Sequence, residues 1–100
     1  MFKVEQNSNQ IKLLGQLNFD TVAQLLSGSA VDFGQLDSEN GPVNVDLSDI
    51  TRFNSASLAL LLEWMKMSQQ KGLQIKYHNA PEQLMAIARA YGIDHELPMG

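Results

Sequence analysis

The chain has 100 residues, 44% hydrophobic and 18% charged, with a formal net charge of −4 at pH 7 and a sequence pI near 4.9. A chain of this size buries one modest core, which excludes a multidomain enzyme and predicts a single domain over residues 1–100. Between Lys12 and Arg52 every charged residue is acidic (Asp20, Asp32, Asp37, Glu39, Asp46, Asp49), which argues against a nucleic-acid binder and against an autonomous grip on anionic lipid.

In chain order, "FKVEQ" alternates Phe2 and Val4 with polar residues, "NSNQ" is a turn signal, and "IKLLGQL" supplies Ile11, Leu13 and Leu17. This predicts a hairpin of two short strands. In "NFDTVAQLLSGSAVDFGQL", Val22, Leu25, Leu26, Phe33 and Leu36 approximate helical spacing, Asn18 or Asp20 is a candidate cap, and Gly28 is a point of breakage. After the turn composition of "DSENGPV", "VNVDLS" reads as a buried strand through Val43, Val45 and Leu47. A helix follows from about Ser55 to Lys71, stopped by Gly72. "LQIKYHN" is a fourth strand, and Pro81 suits the first position of a last helix whose apolar face is Leu84, Ile87, Ala88 and Tyr91 before Gly92. The tail "IDHELPMG" is too short to assign. Two strands, helix, strand, helix, strand, helix predict an α/β fold with one open mixed four-stranded sheet covered by helices.

The helix from Ser55 raises the functional question. At about 100° per residue, Leu58, Leu61, Leu62 and Met65 fall on one arc, the expected core face. Leu60, Trp64 and Met67 form a second apolar stripe. Two roles fit that stripe: packing against a flanking helix of the same domain, or an exposed patch for a partner protein, with Trp64 the principal residue in either. Asn54, Ser55 and Ser57 stand where a helix leaves its first amides unpaired. They suit capping, and Ser55 also suits a phosphate held by the positive end of the helix dipole, with Arg52 near in sequence.

These residues carry a resemblance. "VDLSDITRFNSASLALLL" resembles the strand–loop–helix signature of STAS domains, "LLGQLNFDTVAQLL" is similar to the segment entering their first helix, and "KGLQIKYHNAPEQLMAIARAYGIDHELP" to their last strand and helix. The compact form ending in "LP" looks closest to the small cytoplasmic subunit of Mla-type phospholipid ABC transporters. The resemblance implies the STAS (anti-sigma factor antagonist-like) fold. It implies a non-catalytic subunit that binds the transporter's ATPase and supports its assembly or activity in maintaining outer-membrane lipid asymmetry.

On it, Ser55 matches the contact or phosphorylatable hydroxyl, Asn54 replaces the usual aspartate, and Ala56 and Ser57 replace the following small residue and glycine. Those departures weigh against the alternative it also implies, an anti-sigma factor antagonist switched by an anti-sigma factor kinase that phosphorylates Ser55. Asn18 likewise replaces an aspartate, and both residues cap helices. The expected partner-binding set is Arg52, Asn54, Ser55, Ala56, Ser57, Leu60 and Trp64.

Catalytic chemistry finds little support in the residues. No Gly-x-Ser-x-Gly elbow accompanies Ser55, and His78 and His95 have neither triad nor metal-motif spacing. Gly28, Gly34 and Gly41 are scattered rather than clustered before a helix, so no phosphate loop is present. Asp46 and Asp49 at a strand end suit solvated charge or loop capping. Without cysteine, disulfides, thiolate nucleophiles and cysteine metal sites are removed. The reading is therefore no enzyme, no cofactor and no metal.

The amino terminus lacks a signal-peptide h-region, and the longest aliphatic run, Leu58 to Leu62, stops at Glu63, short of the roughly 20 residues of a spanning helix. This predicts a cytoplasmic protein without stable membrane insertion of its own, and the resemblance implies that it is peripheral to the inner membrane through its partner.

Overall fold

The computed structural model describes residues 2–26, 39 and 41–99. Along the chain run β1 (Phe2–Asn7), β2 (Gln10–Leu17), α1 (Phe19–Leu26), β3 (Val43–Phe53), α2 (Ser55–Gln70), β4 (Ile75–His78) and α3 (Glu82–Ala90). The sheet order is β1-β2-β3-β4, with β1 antiparallel to β2 and the remaining neighbours parallel. This is the open mixed sheet expected from the element order. The continuation of the first helix toward Phe33 and Leu36, and its break at Gly28, lie outside the described residues.

The hairpin turns through Ser8, at φ 55, and Asn9. The Asn9 side chain is buried and donates to the Gly41 carbonyl at 2.9 Å. The Asn9 backbone carbonyl accepts from the Asn44 amide at 2.8 Å. One turn residue thereby positions the entry of β3, more than thirty residues later.

β3 departs from the expected strand, which ended at Ser48. It continues to Phe53 because it takes up two extra residues against β2. Lys12 and Leu14 face Asp46 and Asp49, while Gly15 and Gln16 face Ile50 and Arg52. At the first irregularity the Asp46 carboxylate accepts from the Ser48 amide at 2.9 Å. Each bulge resets the in/out alternation. Val43, Val45 and Leu47 are buried at a spacing of two, then Ile50 is buried and Phe53 half-buried at a spacing of three. A spacing of three does not look like a strand, which is why the second half was missed.

Among the described residues the helices form one layer, with α2 between α1 and α3. The layer covers the face carrying Ile11, Leu13, Val43, Val45, Leu47, Ile75 and Tyr77, all buried. The opposite face presents Lys3, Glu5 and Lys76 to solvent and leaves Lys12, Asn44, Asp46 and His78 half-buried. Tyr77 links the layers: its buried hydroxyl donates to the Leu61 carbonyl of α2. Burial raises its pKa far above the ordinary tyrosine value, so it remains a neutral donor.

Helix ends follow local chemistry. Gly72 and Gly92 both sit at φ 71, the left-handed conformation that ends a helix at low steric cost. The Ser68 carbonyl accepts from Lys71 at 3.0 Å and Leu73 at 2.8 Å. Pro81 takes the cap position, one residue before the helical position expected for it.

Leu60 is 0% and Trp64 1% exposed. The second stripe of α2 therefore takes the first of its two expected roles, packing within the domain, with Met67 half-buried at its margin; Leu60 and Trp64 are not an exposed patch for a partner. A central helix has neighbours on both flanks, so a wide arc of its surface is covered. Leu58 and Leu61 share that core as expected, whereas Leu62 and Met65, expected on the same face, lie at its margin and are half-buried. Ser68, on the same helix, is buried, and among the described residues its hydroxyl has no hydrogen-bond partner. Ser68→Ala is expected to raise stability by about 1 kcal/mol, because it removes an uncompensated desolvation; a higher urea midpoint with unchanged m-value checks it.

Candidate functional site

The carboxyl ends of β2 and β3 lie side by side, with Leu17 facing Phe53. Each strand passes through one asparagine into a helix, so α1 and α2 start at the same edge of the sheet. The two starts are capped alike. The Asn18 side-chain oxygen accepts from the Thr21 amide at 3.0 Å while Thr21 Oγ1 accepts from the Asn18 amide at 2.9 Å. The Asn54 side-chain oxygen accepts from the Ala56 amide at 2.9 Å while Ser57 Oγ accepts from the Asn54 amide at 3.1 Å. Reciprocal caps of this kind satisfy the orphan amides of a first turn.

The same two hydroxyls tie the helix starts to β2. Ser57 Oγ donates to the Leu17 carbonyl at 2.8 Å and Thr21 Oγ1 to the Gln16 carbonyl at 2.9 Å. Ser57 is 0% and Thr21 7% exposed. Their role is internal: they lock two strand ends and two helix starts into one platform. Ser57 thus leaves the set of contact hydroxyls proposed from sequence. Ala56 is also buried.

Solvent reaches the remainder. Arg52 and Ser55 are exposed and Asn54 is half-buried, so these three share the surface at the start of α2. The first turn of that helix contains no acidic side chain, leaving its positive dipole end uncompensated. Phe19, the first residue of α1, is 69% exposed. Sequence reasoning missed it. The available signal was angular: Thr21, Val22 and Leu25 define the inward arc of α1, and at about 100° per residue Phe19 falls roughly 110° from its centre.

A depression of about 560 Å³ lies elsewhere, on the uncovered sheet face beside the hairpin, lined among others by Lys12, Asn44, Asp46, His78 and Asn79. Several of its polar groups are already paired. His78 Nε2 is 2.7 Å from Asn44 Oδ1, and Asn79 donates to Asp46 at 3.3 Å. Lys12 Nζ lies 3.0 Å from Asp49, and the hydrogen bond to Asp49 raises its pKa. The Asp46 carboxyl is held below its usual value by the Ser48 amide. Among the described residues no group of three or more His, Asp or Glu is placed to hold a metal ion. Nor, among the described residues, is any helix long and apolar enough to cross a membrane. We therefore take the helix-start edge, where exposed groups have a rigid mount, as the candidate site.

A mixed sheet in the order β1-β2-β3-β4, with helices on one face and helix starts at the carboxyl edge, defines the chain as a STAS-fold domain. The family model described as "Mlab, STAS domain" matches residues 1–99, and the chain belongs to that family. No curated protein matches the sequence. Among solved structures the chain is similar to "Crystal Structure Analysis of Mglu", with a TM-score of 0.54 and 20% identity over 80% of this chain. It spans only 19% of that longer chain, and a likeness at this identity shows the fold alone.

Proposed function

We propose that this chain is a non-catalytic STAS subunit that binds the ATPase of a phospholipid ABC transporter and supports its assembly or activity in maintaining outer-membrane lipid asymmetry. It acts in the cytoplasm, held at the inner membrane through that partner. Membership of the Mlab STAS family supports a binding module. The observation that carries the reading is the exposed Ser55, mounted on a helix start whose own amides are capped and anchored to β2.

Arg52, Asn54 and Ser55 supply polar contacts. Phe19 supplies the apolar area expected of Leu60 and Trp64, since a rigid exposed aromatic is a favourable anchor for an interface. Binding of this kind promotes activity by favouring one arrangement of the ATPase subunits over others, and the shift equals the difference in affinity for the two arrangements.

Ser55→Arg is expected to weaken capture of the ATPase at least about tenfold, equivalent to 1.4 kcal/mol or more, while far-UV circular dichroism and the urea midpoint stay unchanged. Phe19→Ala should act in the same direction. Wild-type capture by a folded Ser55→Arg variant overturns the assigned surface.

A second reading rests on the same hydroxyl. Exposed at the first helical position and without acidic neighbours in that turn, Ser55 suits a phosphate acceptor in an anti-sigma factor antagonist. Stoichiometric phosphate on Ser55 after incubation with native extract and ATP, read by intact mass, would favour it.

A further inference from the structure

The two edges of the sheet are finished differently. The outer edge of β4 is closed by the C-terminal segment: the Tyr77 amide donates to the Pro98 carbonyl at 2.9 Å, and Tyr77 bridges in parallel to Met99. β1, at the other end, pairs among the described residues with β2 alone. A two-residue turn makes Asn7 and Gln10 the closing hydrogen-bonded pair of the hairpin, and antiparallel ladder bonds alternate from there. The backbone groups of Lys3 and Glu5 therefore face β2, and those of Phe2 and Val4 face outward. The Phe2 and Val4 side chains pack against the core yet stay half-exposed at its rim. Lys3 and Glu5 rise from the opposite, uncovered face, 71% and 53% exposed.

We propose that β1 pairs antiparallel with β1 of a second copy of this chain, about a twofold axis through Val4, joining two four-stranded sheets into one. Charge singles out this occupant. Residues facing each other across the new ladder must both direct backbone groups outward, which near the strand centre permits three registers. Placing Phe2 opposite Val4 sets Lys3 against Lys3. Placing Val4 opposite Gln6 sets Glu5 against Glu5. Like charges meet there in a non-hydrogen-bonded pair, where facing side chains lie closest. Val4 opposite Val4 sets Lys3 against Glu5 twice, related by the twofold.

The strand is thus its own charge complement in one of these registers only. An edge lysine ordinarily guards against strand addition, but here a glutamate two residues along neutralises it in a pairing that the backbone also permits. Each Val4 amide donates to the other copy's Val4 carbonyl, and the two half-exposed valine side chains meet on the helix-covered side. The contact is isologous and closes at two copies. It uses none of the residues at the helix-start edge, so that surface stays available in the dimer.

Sedimentation equilibrium at low ionic strength tests this with K3E, E5K and their equimolar mixture. The wild type is expected to dimerise with rising concentration. Each variant alone sets like charges together twice and should weaken association about tenfold or more. Mixing K3E with E5K makes each strand the complement of the other and should restore a dimer, now of unlike chains. Circular dichroism establishes that both variants fold; the exposed Lys3–Glu5 contact they break, at 3.7 Å, is of a kind that contributes little to stability. A wild type that stays monomeric into the millimolar range, variants that associate as tightly as wild type, or a mixture that fails to recover each overturns the proposal.

Discussion

Replacing Trp64 with alanine is expected to cost about 3–5 kcal/mol, a large share of the roughly 5–15 kcal/mol that holds a domain together. Trp64 is 1% exposed and among the largest fully buried side chains. It sits on α2, which α1 and α3 flank among the described residues. Truncation leaves a void in a close-packed interior that relaxes only in part. The urea midpoint should fall sharply and a partly unfolded population should appear at physiological temperature. Trp64→Phe, which keeps most of the volume, should be much milder. Partner capture should track folding in both variants. A Trp64→Ala protein with the wild-type midpoint but no binding would return this side chain to the surface and refute its placement in the core.

Ser57→Ala is the second large effect, expected at about 2–3 kcal/mol. The hydroxyl is 0% exposed, accepts from the Asn54 amide and donates to the Leu17 carbonyl. Removing it strands a backbone donor and a backbone acceptor where water does not replace the lost oxygen. Leaving a buried donor or acceptor unpaired costs more than a made bond contributes net, because the desolvation remains. The damage should be local as well as global: amide hydrogen exchange at Asn54, Ala56 and Ser57 should accelerate beyond the change at β3. Binding should weaken through lost preorganisation of the helix start. Ser55→Ala, two residues away on the exposed side, should change stability by less than about 0.5 kcal/mol. Equal effects of the two substitutions on stability would show that Ser57 does not anchor the platform.

The contrast between Ser55 and Ser57 shows what could be read from the sequence at the candidate site. Both are small hydroxyl residues in the first turn of a helix, and local chemistry treats them alike. Their fates diverge because Leu17, forty residues earlier, ends a parallel strand beside Phe53. Phe19 was missed for a related reason: its exposure depends on which arc of α1 the sheet and α2 cover. Leu60 and Trp64 show the reverse error. Their helical spacing was plain, but whether a second stripe faces a neighbour or a solvent-exposed groove depends on the helix count in the layer.

Periods, turns and caps act over a few residues, and so the order of strands and helices, the hairpin at Ser8–Asn9, the glycine stops at Gly72 and Gly92, and the start of α2 at Ser55 were determined by the sequence alone. The reach of β3 to Phe53 was decided by two bulges against β2, which change the apparent period without ending the strand. Tertiary structure likewise decided that Trp64 is core, that Ser57 is an anchor, and that Ser55 and Phe19 are surface. Each of those outcomes depends on contacts between segments far apart in the chain, and burial is a property of the assembled layers that no local pattern contains.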